Sequence, residues 1–440
     1  MLGSGTESDP YRISTATDLQ YISNKLSAYY ILDVDIDCSG IEIEMIGIGS
    51  NFTGVFDGKG HTIKNLEIQG NGNQAFFDTV NNAIIKNVTF ESSIIISNAG
   101  RNRYAAVLAV SSINSTIQNI NVNNAQLSSS SDKGGGGLFN TFKVTFVHET
   151  IANNCNFNGT HNVTIGGQRS LGGFARYIDN QEGGTMKISC CNTELIAPDN
   201  TNGLGYSYCG GFVGYMNVSN YTSNYTRITD CSSNINLNRC YFEFIPDTES
   251  TYLGGFAGYC YFASNIDDEP ILERCFSTGY LGGYNYIGGF MGQLKGSGDP
   301  IKDCYSNASI DCTHSDNYFS MGGFLGSAYQ GDITLKNCYS TGKTGFEWKE
   351  GSKVYSEYGG FMGSGATIPC ESCYWDEEAS GATSSYGDGV QGKTTAEMQQ
   401  KSTFIDWSDK VWKFIANNYP TLINQCREEF VIKMGFFKYF

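Results

Sequence analysis

The segment GGFLGSAYQGDITLKNCYSTG, residues 322–342, holds both halves of a pattern that recurs along the chain. Its first half, Gly-Gly-aromatic-x-Gly, returns as GGFVG from Gly210, GGFAG from Gly254, and GGFMG from Gly288 and again from Gly359. GGLFN from Gly136 and GGFAR from Gly172 are degenerate copies, and AAVLA from Ala105 fits the same slot with Ala in place of Gly. The second half, TLKNCYS at 334–340, aligns with TIKNLEI at 62–68, IIKNVTF at 84–90 and TIQNINV at 116–122. A fixed period of this kind determines a fold as a whole, because each unit can bury its apolar face only against its neighbours.

The Asn of the second half suits a turn that needs left-handed backbone angles. In that frame the turn column reads Asn65, Asn87, Asn119, Asn154, Cys190, Asp230, Arg274, Asp303, Asn337, Ser372, which makes ten coils. The next column reads Leu66, Val88, Ile120, Cys155, Cys191, Cys231, Cys275, Cys304, Cys338, Cys373. Seven of the fifteen cysteines thus occupy a position that aliphatic residues fill in the first three coils, which reads as a buried thiol ladder and not a metal or redox cluster. The expected fold is an all-β, right-handed parallel β-helix, a solenoid of about ten coils, on the order of 50 Å long at ~4.8 Å per coil. The Gly-Gly pair marks a tight corner or a close backbone approach.

Open solenoid ends must be covered. Thr15 and Asp18 sit near capping-box spacing before an apolar face of Leu19, Ile22 and Leu26, and Thr394 and Glu397 form a T-x-x-E box ahead of the aromatic VWKFIANNYPTL. Short capping helices are therefore expected at both ends. The expected organisation is an N-terminal strand and helix cap over 1–50, β-helix repeats over 51–380, a C-terminal cap over 381–425 and a tail over 426–440.

These residues resemble GLUG-motif repeats, a Gly-Gly-apolar-x-Gly segment followed by N-C-Y-[AS]-T-G, most clearly from about residue 134 onward. The flanks GSGTESDPYRISTATDLQYIS, DVDIDCSG, FTGVFDGKGHTIKNLEI, CYWDEEASG and GKTTAEMQQKSTFIDWS are similar to segments that bracket such repeats. The resemblance spans about residues 3–424. It implies a β-helix in a secreted, surface-attached protein with adhesion or matrix roles, and it brings no catalytic residues. CREEFVIKMGFFKYF at the end has no counterpart in it.

Charge narrows the partners. With 28 basic against 44 acidic residues and a net charge of −16, the chain lacks the clustered cations that neutralise phosphates, so nucleic acid and anionic membrane surfaces are not expected partners. No run of 18 apolar residues could span a bilayer, and MLGSGTESDP lacks the regions of a signal peptide. The expected setting is extracellular or cell-surface, with glycans or surface proteins as partners and no cofactor.

The residue after each ladder position points outward, and in the last four coils it is Phe276, Tyr305, Tyr339, Tyr374. This aromatic column is the expected ligand surface, or else it is packed beneath long loops. The loops at 240–252 and 343–358 are the alternative binding positions. Asp33, Asp35 and Asp37 alternate and are weak Ca²⁺ candidates, or turn-formers. Gly387, Gly392, Lys393 and Thr394 satisfy a P-loop pattern, but SGATSSY before them makes no buried strand. The rival class is a polysaccharide lyase or glycosidase, which needs opposed carboxylates; the acidic runs Asp267-Asp268-Glu269 and Asp376-Glu377-Glu378 read instead as solvated turns.

Overall fold

A computed structural model describes the chain except residues 99–102, 130–133, 164–168, 198–205, 220–224, 238–250, 264–268, 284, 312–318, 330–332, 346–355, 424–425 and 427–440. The strands assemble into parallel sheets of 25, 10 and 7 strands and one antiparallel pair, Trp412–Lys413 with Thr421–Leu422. This is an all-β parallel solenoid. Coil seven shows the repeating unit. Tyr252–Gly254 lies in the third sheet, a Gly-Gly-Phe corner follows, and Ala257–Ala263 lies in the second sheet. Leu272–Glu273 and Phe276–Gly282 then lie in the first sheet on either side of Arg274. Each strand pairs in parallel with its counterparts below and above: Tyr252 with Tyr208 and Tyr286, Ala257 with Val213 and Met291, Phe276 with Ser232 and Tyr305. Stacking starts near the N-terminus, where Tyr11–Ile13 pairs with Tyr29–Leu32.

All ten residues of the turn column are left-handed, with φ between 50° and 55°. Asparagine tolerates this because its amide bonds locally, and here the amides bond between coils as well. Asn87 Nδ2 donates to Asp57, Asn119 to Asn87, Asn154 to Asn119, and Asn337 to Asp303, at 2.8–3.0 Å. Arg274 is a poor left-handed residue, yet its guanidinium grips Asp230 one coil below through two bonds of 2.8 Å.

The seven ladder cysteines are wholly buried, as are Leu66 and Ile120, with Val88 nearly so. Burial pushes the Cys155, Cys231, Cys304 and Cys373 thiols up, away from thiolate character. All eleven free cysteines among the described residues are buried. The seven should therefore resist alkylation in the native protein and react once it is unfolded; rapid native labelling of most of them would refute the ladder. Cys304→Ser is expected to cost about 1 kcal/mol, near the low end for a buried hydroxyl, because the carbonyl of Lys302, 3.2 Å from Sγ, can still accept.

At the corner, Phe174, Phe212, Phe256, Phe290, Phe324 and Phe361 stack inside the solenoid with centroids 4.7–4.9 Å apart. The second glycine of each pair has a steric cause: a Cβ at Gly255 would run into the carbonyl oxygen of Gly289 on the next coil. The two halves of the repeat meet here. In four coils the residue two past the ladder cysteine donates its hydroxyl to a corner glycine carbonyl. Thr193 bonds Gly211, Ser233 bonds Gly255, Ser277 bonds Gly289 and Ser340 bonds Gly360, at 2.7–2.8 Å.

Both expected caps form. Thr15 and Asp18 make a capping box on Ala16–Tyr21, which buries Leu19 and, just past its end, Ile22; Thr394 and Glu397 do the same on Thr395–Met398. The C-terminal cap does not end with its helix. It continues through residues 401–423 and is joined to the coils by a disulfide between Cys426 and the turn-column residue Cys190.

Candidate functional site

The column Phe276, Tyr305, Tyr339, Tyr374 forms as expected, with Phe276–Tyr305 and Tyr305–Tyr339 centroids at 4.9 and 5.0 Å. It is not an open surface. Tyr305, Tyr339 and Tyr374 are 6, 0 and 3% exposed, beneath Phe404, Trp407 and Trp412, while Phe276 is only partly buried at the edge of the same cluster. The reason is complementarity: VWKFIANNYPTL brings the apolar area that a stack of rings would otherwise leave in water. The Tyr339 hydroxyl donates to the carbonyl of Pro420 at 2.6 Å, and Tyr419 donates to Asp376 at 2.7 Å. The cover is the C-terminal segment and not the inter-coil loops. The alternative positions, 240–252 and 343–358, lie largely outside the described residues.

A different outward column stays partly open to solvent over most of its length. On the second sheet the register runs Asn51, Thr79, Ser111, Thr141, Tyr177, Tyr215, Tyr259, Gln293, Ser327, Ser364. All ten carry a hydroxyl or amide and none a charge. Six of the residues that follow them in sequence, Val80, Phe142, Ile178, Met216, Cys260 and Leu294, are wholly buried, so strand alternation turns the column away from the core there. Asn51 is exposed and Thr79 through Tyr259 are half-buried, whereas the last three sink below the surface.

Its centre is aromatic. Tyr177, Tyr215 and Tyr259 stack at 5.2 and 5.1 Å. Across the glycine corner Tyr208, Tyr252 and Tyr286 stack at 5.5 and 5.1 Å on the third sheet and meet them edge-on, with Tyr208–Tyr215 at 5.2 Å and Tyr252–Tyr259 at 5.3 Å. Partial burial, then the neighbouring tyrosines, pushes the Tyr259 phenol up to about 12, so its hydroxyl stays protonated at any physiological pH. Sequence reasoning missed this column because its members lie 28 to 44 residues apart and share polarity rather than identity.

The aspartate candidates are each taken by different partners. Arg12 reaches Asp33 at 3.2 Å, Asp35 accepts from Thr62 N at 3.0 Å and lies 3.2 Å from His61 Nδ1, and Asp37 accepts from Ser39 and Asn65. The Ser39 hydroxyl, the Asn65 amide and the Ser39 N–H hold Asp37 down at about 2. Among the described residues no three His, Cys, Asp or Glu side chains converge as a metal site would require. In the P-loop-like segment, Gln391–Lys393 is a strand paired in parallel with Tyr374–Asp376 and Thr394 caps a four-residue helix, so it closes the last coil. Asp376 is buried, where it caps Glu377–Ser380 and accepts from Thr395 and Tyr419. Glu378 accepts from Thr395 N, and Glu269 pairs with Arg227. Asp267 and Asp268 lie outside the described residues.

No helix among the described residues is long and apolar enough to cross a membrane. No family model matches the chain, so the GLUG resemblance stands on the quoted motifs. Halomucin of Haloquadratum walsbyi is 34% identical over 137 residues, which are 27% of this chain and 1% of that protein. The chain thus spans about a hundredth of the length of this curated relative. A solved structure of a Bacteroides ovatus protein assigned as an immunoglobulin A1 protease aligns over 96% of this chain and 94% of that one, at 18% identity and a TM-score of 0.36, a likeness too loose to carry an activity across.

Proposed function

We propose that this chain is a non-catalytic, extracellular rod that binds glycans, or partner proteins bearing them, along its second sheet. The observation that carries the reading is the uncharged hydroxyl-and-amide column, whose three central tyrosines meet three more across the glycine corner. On a protein of net charge −16, a strip without charge suits a neutral polyhydroxylated chain, which offers hydroxyls to hydroxyls and C–H faces to ring edges. Repetition at ~4.8 Å per coil suits an extended ligand lying along the axis. The local match to halomucin supports an extracellular, surface setting. The Cys190–Cys426 disulfide supports an oxidising compartment.

Contacts of this kind are individually weak and act together. The test is the triple variant Tyr215→Ser, Tyr252→Ser, Tyr259→Ser on a glycan array, beside thermal unfolding as a folding control. Glycan signal should fall at least tenfold in the folded variant. Undiminished signal would place binding elsewhere, and release of reducing ends from any bound glycan would replace the reading with an enzymatic one.

A further inference from the structure

We infer that residues 401–423, tied back to the solenoid through the Cys190–Cys426 disulfide, form a strap that takes tensile load off coils six to ten. The inference goes beyond the binding reading and does not depend on any ligand. Three fixed points, at coils ten, eight and five, mark the path of the strap down the turn column. Trp407 Nε1 donates to the carbonyl of Ser372 at 3.2 Å, Trp412 Nε1 donates to Asp303 Oδ1 at 3.0 Å, and Cys426 is bonded to Cys190. Ser372, Asp303 and Cys190 are the turn residues of those coils. The strap therefore runs back along the stack, against the direction in which the coils were laid down.

Between the second and third points Leu422 pairs across from Trp412 in the short antiparallel ribbon, and Ile423 N–H bonds the carbonyl of Val411 at 2.8 Å.

A pull on the chain end beyond Cys426 consequently does not enter the solenoid at its last coil. It passes through the disulfide to Cys190, on the fifth. The 236-residue separation between the two cysteines becomes a covalent loop outside the line of force. Coils six to ten cannot be peeled from the C-terminal end while the bond is intact. Without it, a pull would act on the edge strand of the last coil, where strands are most easily stripped one at a time.

The experiment is single-molecule stretching of the full chain, held at residues 1 and 440, with and without dithiothreitol. The reagent supplies two electrons and two protons, so the disulfide becomes two thiols while dithiothreitol closes into its own cyclic disulfide. Complete unfolding of the reduced chain should give a contour longer by roughly 80 nm, the 236-residue separation at ~3.5 Å each. The variant Cys426→Ser should match the reduced chain under both conditions. Equal contour lengths for oxidised and reduced chains, or peptide mapping that finds Cys190 and Cys426 unlinked, would overturn the inference. Because reduction acts on protein that is already folded, the result does not depend on the variant folding.

Discussion

Trp412→Ala should lower the unfolding free energy by about 3–5 kcal/mol, the range for deleting a large buried aromatic. Trp412 is 1% exposed. Its ring lies 4.2 Å from that of Trp407, 5.9 Å from Tyr339 and 6.1 Å from Tyr305, so it joins the strap to two coils at once. Removing it opens a cavity that the stacked tyrosines cannot close, since their spacing is set by the strands that carry them. It also takes a donor from Asp303, which is nearly buried and keeps the amide of Asn337. Trp412→Phe separates the two effects: it keeps most of the ring and loses the hydrogen bond, so about 1–2 kcal/mol is expected. Chemical denaturation, read by far-UV circular dichroism, measures both. A loss below about 1 kcal/mol for the alanine variant would mean that the strap is only loosely seated, against the contacts described above.

The second large effect depends on pH. His161 is wholly buried, and among the described residues neither ring nitrogen has a hydrogen-bond partner. It stands in an otherwise aliphatic column: Ile68, Ile95 and Leu127 lie beneath it. Gly135 makes room for it, since a Cβ there would come within 2.8 Å of the imidazole Cε1. Burial alone lowers its pKa to about 3. The unfolded chain takes up this proton near pH 6.5, whereas the folded chain refuses it until about pH 3. Below pH 6.5 the unfolded state therefore binds more protons, and stability declines as pH falls; above 6.5 this residue contributes no slope. At ~1.4 kcal/mol per unit, a shift from pH 7 to 4.5 should cost about 3 kcal/mol. His161→Leu, which extends the column of Leu127, should lose that much less than the native chain over the same interval. Parallel profiles for the two proteins would show that the imidazole is reached by water or by a partner in the folded state.

Much of the fold can be read from the sequence because its signals are local and repeated. The left-handed turn residue and the inward residue beside it are adjacent in sequence, so one alignment of TLKNCYS-like segments locates both columns. The hydroxyl that bridges to the glycine corner lies in the same alignment, two residues past the ladder cysteine in four coils, as Thr193, Ser233, Ser277 and Ser340. Strand alternation puts the aromatic column on the outside of the coil, but it cannot decide between an open surface and a covered one, because the cover comes from residues up to 109 positions away, as in the Asp303–Trp412 bond. Periodicity carries no information about such a return. The disulfide was hidden for a related reason. Cys190 sits among asparagines and aspartates as one more turn residue, and Cys426 falls in a segment with no repeat to compare. The half-buried hydroxyl column escapes the alignment because chemistry and not identity is held from coil to coil.

The strap also acts as a ruler. Below coil five nothing registers how many coils precede, so a duplicated or deleted unit there merely lengthens or shortens the rod. Between coil five and the cap the count is constrained, because each inserted coil would carry Cys190 ~4.8 Å further from the cap that holds Cys426. Gene duplication in a repeat protein is usually free to set its length. Here that freedom is confined to the N-terminal half, while the C-terminal half can change its coil number only together with its tail.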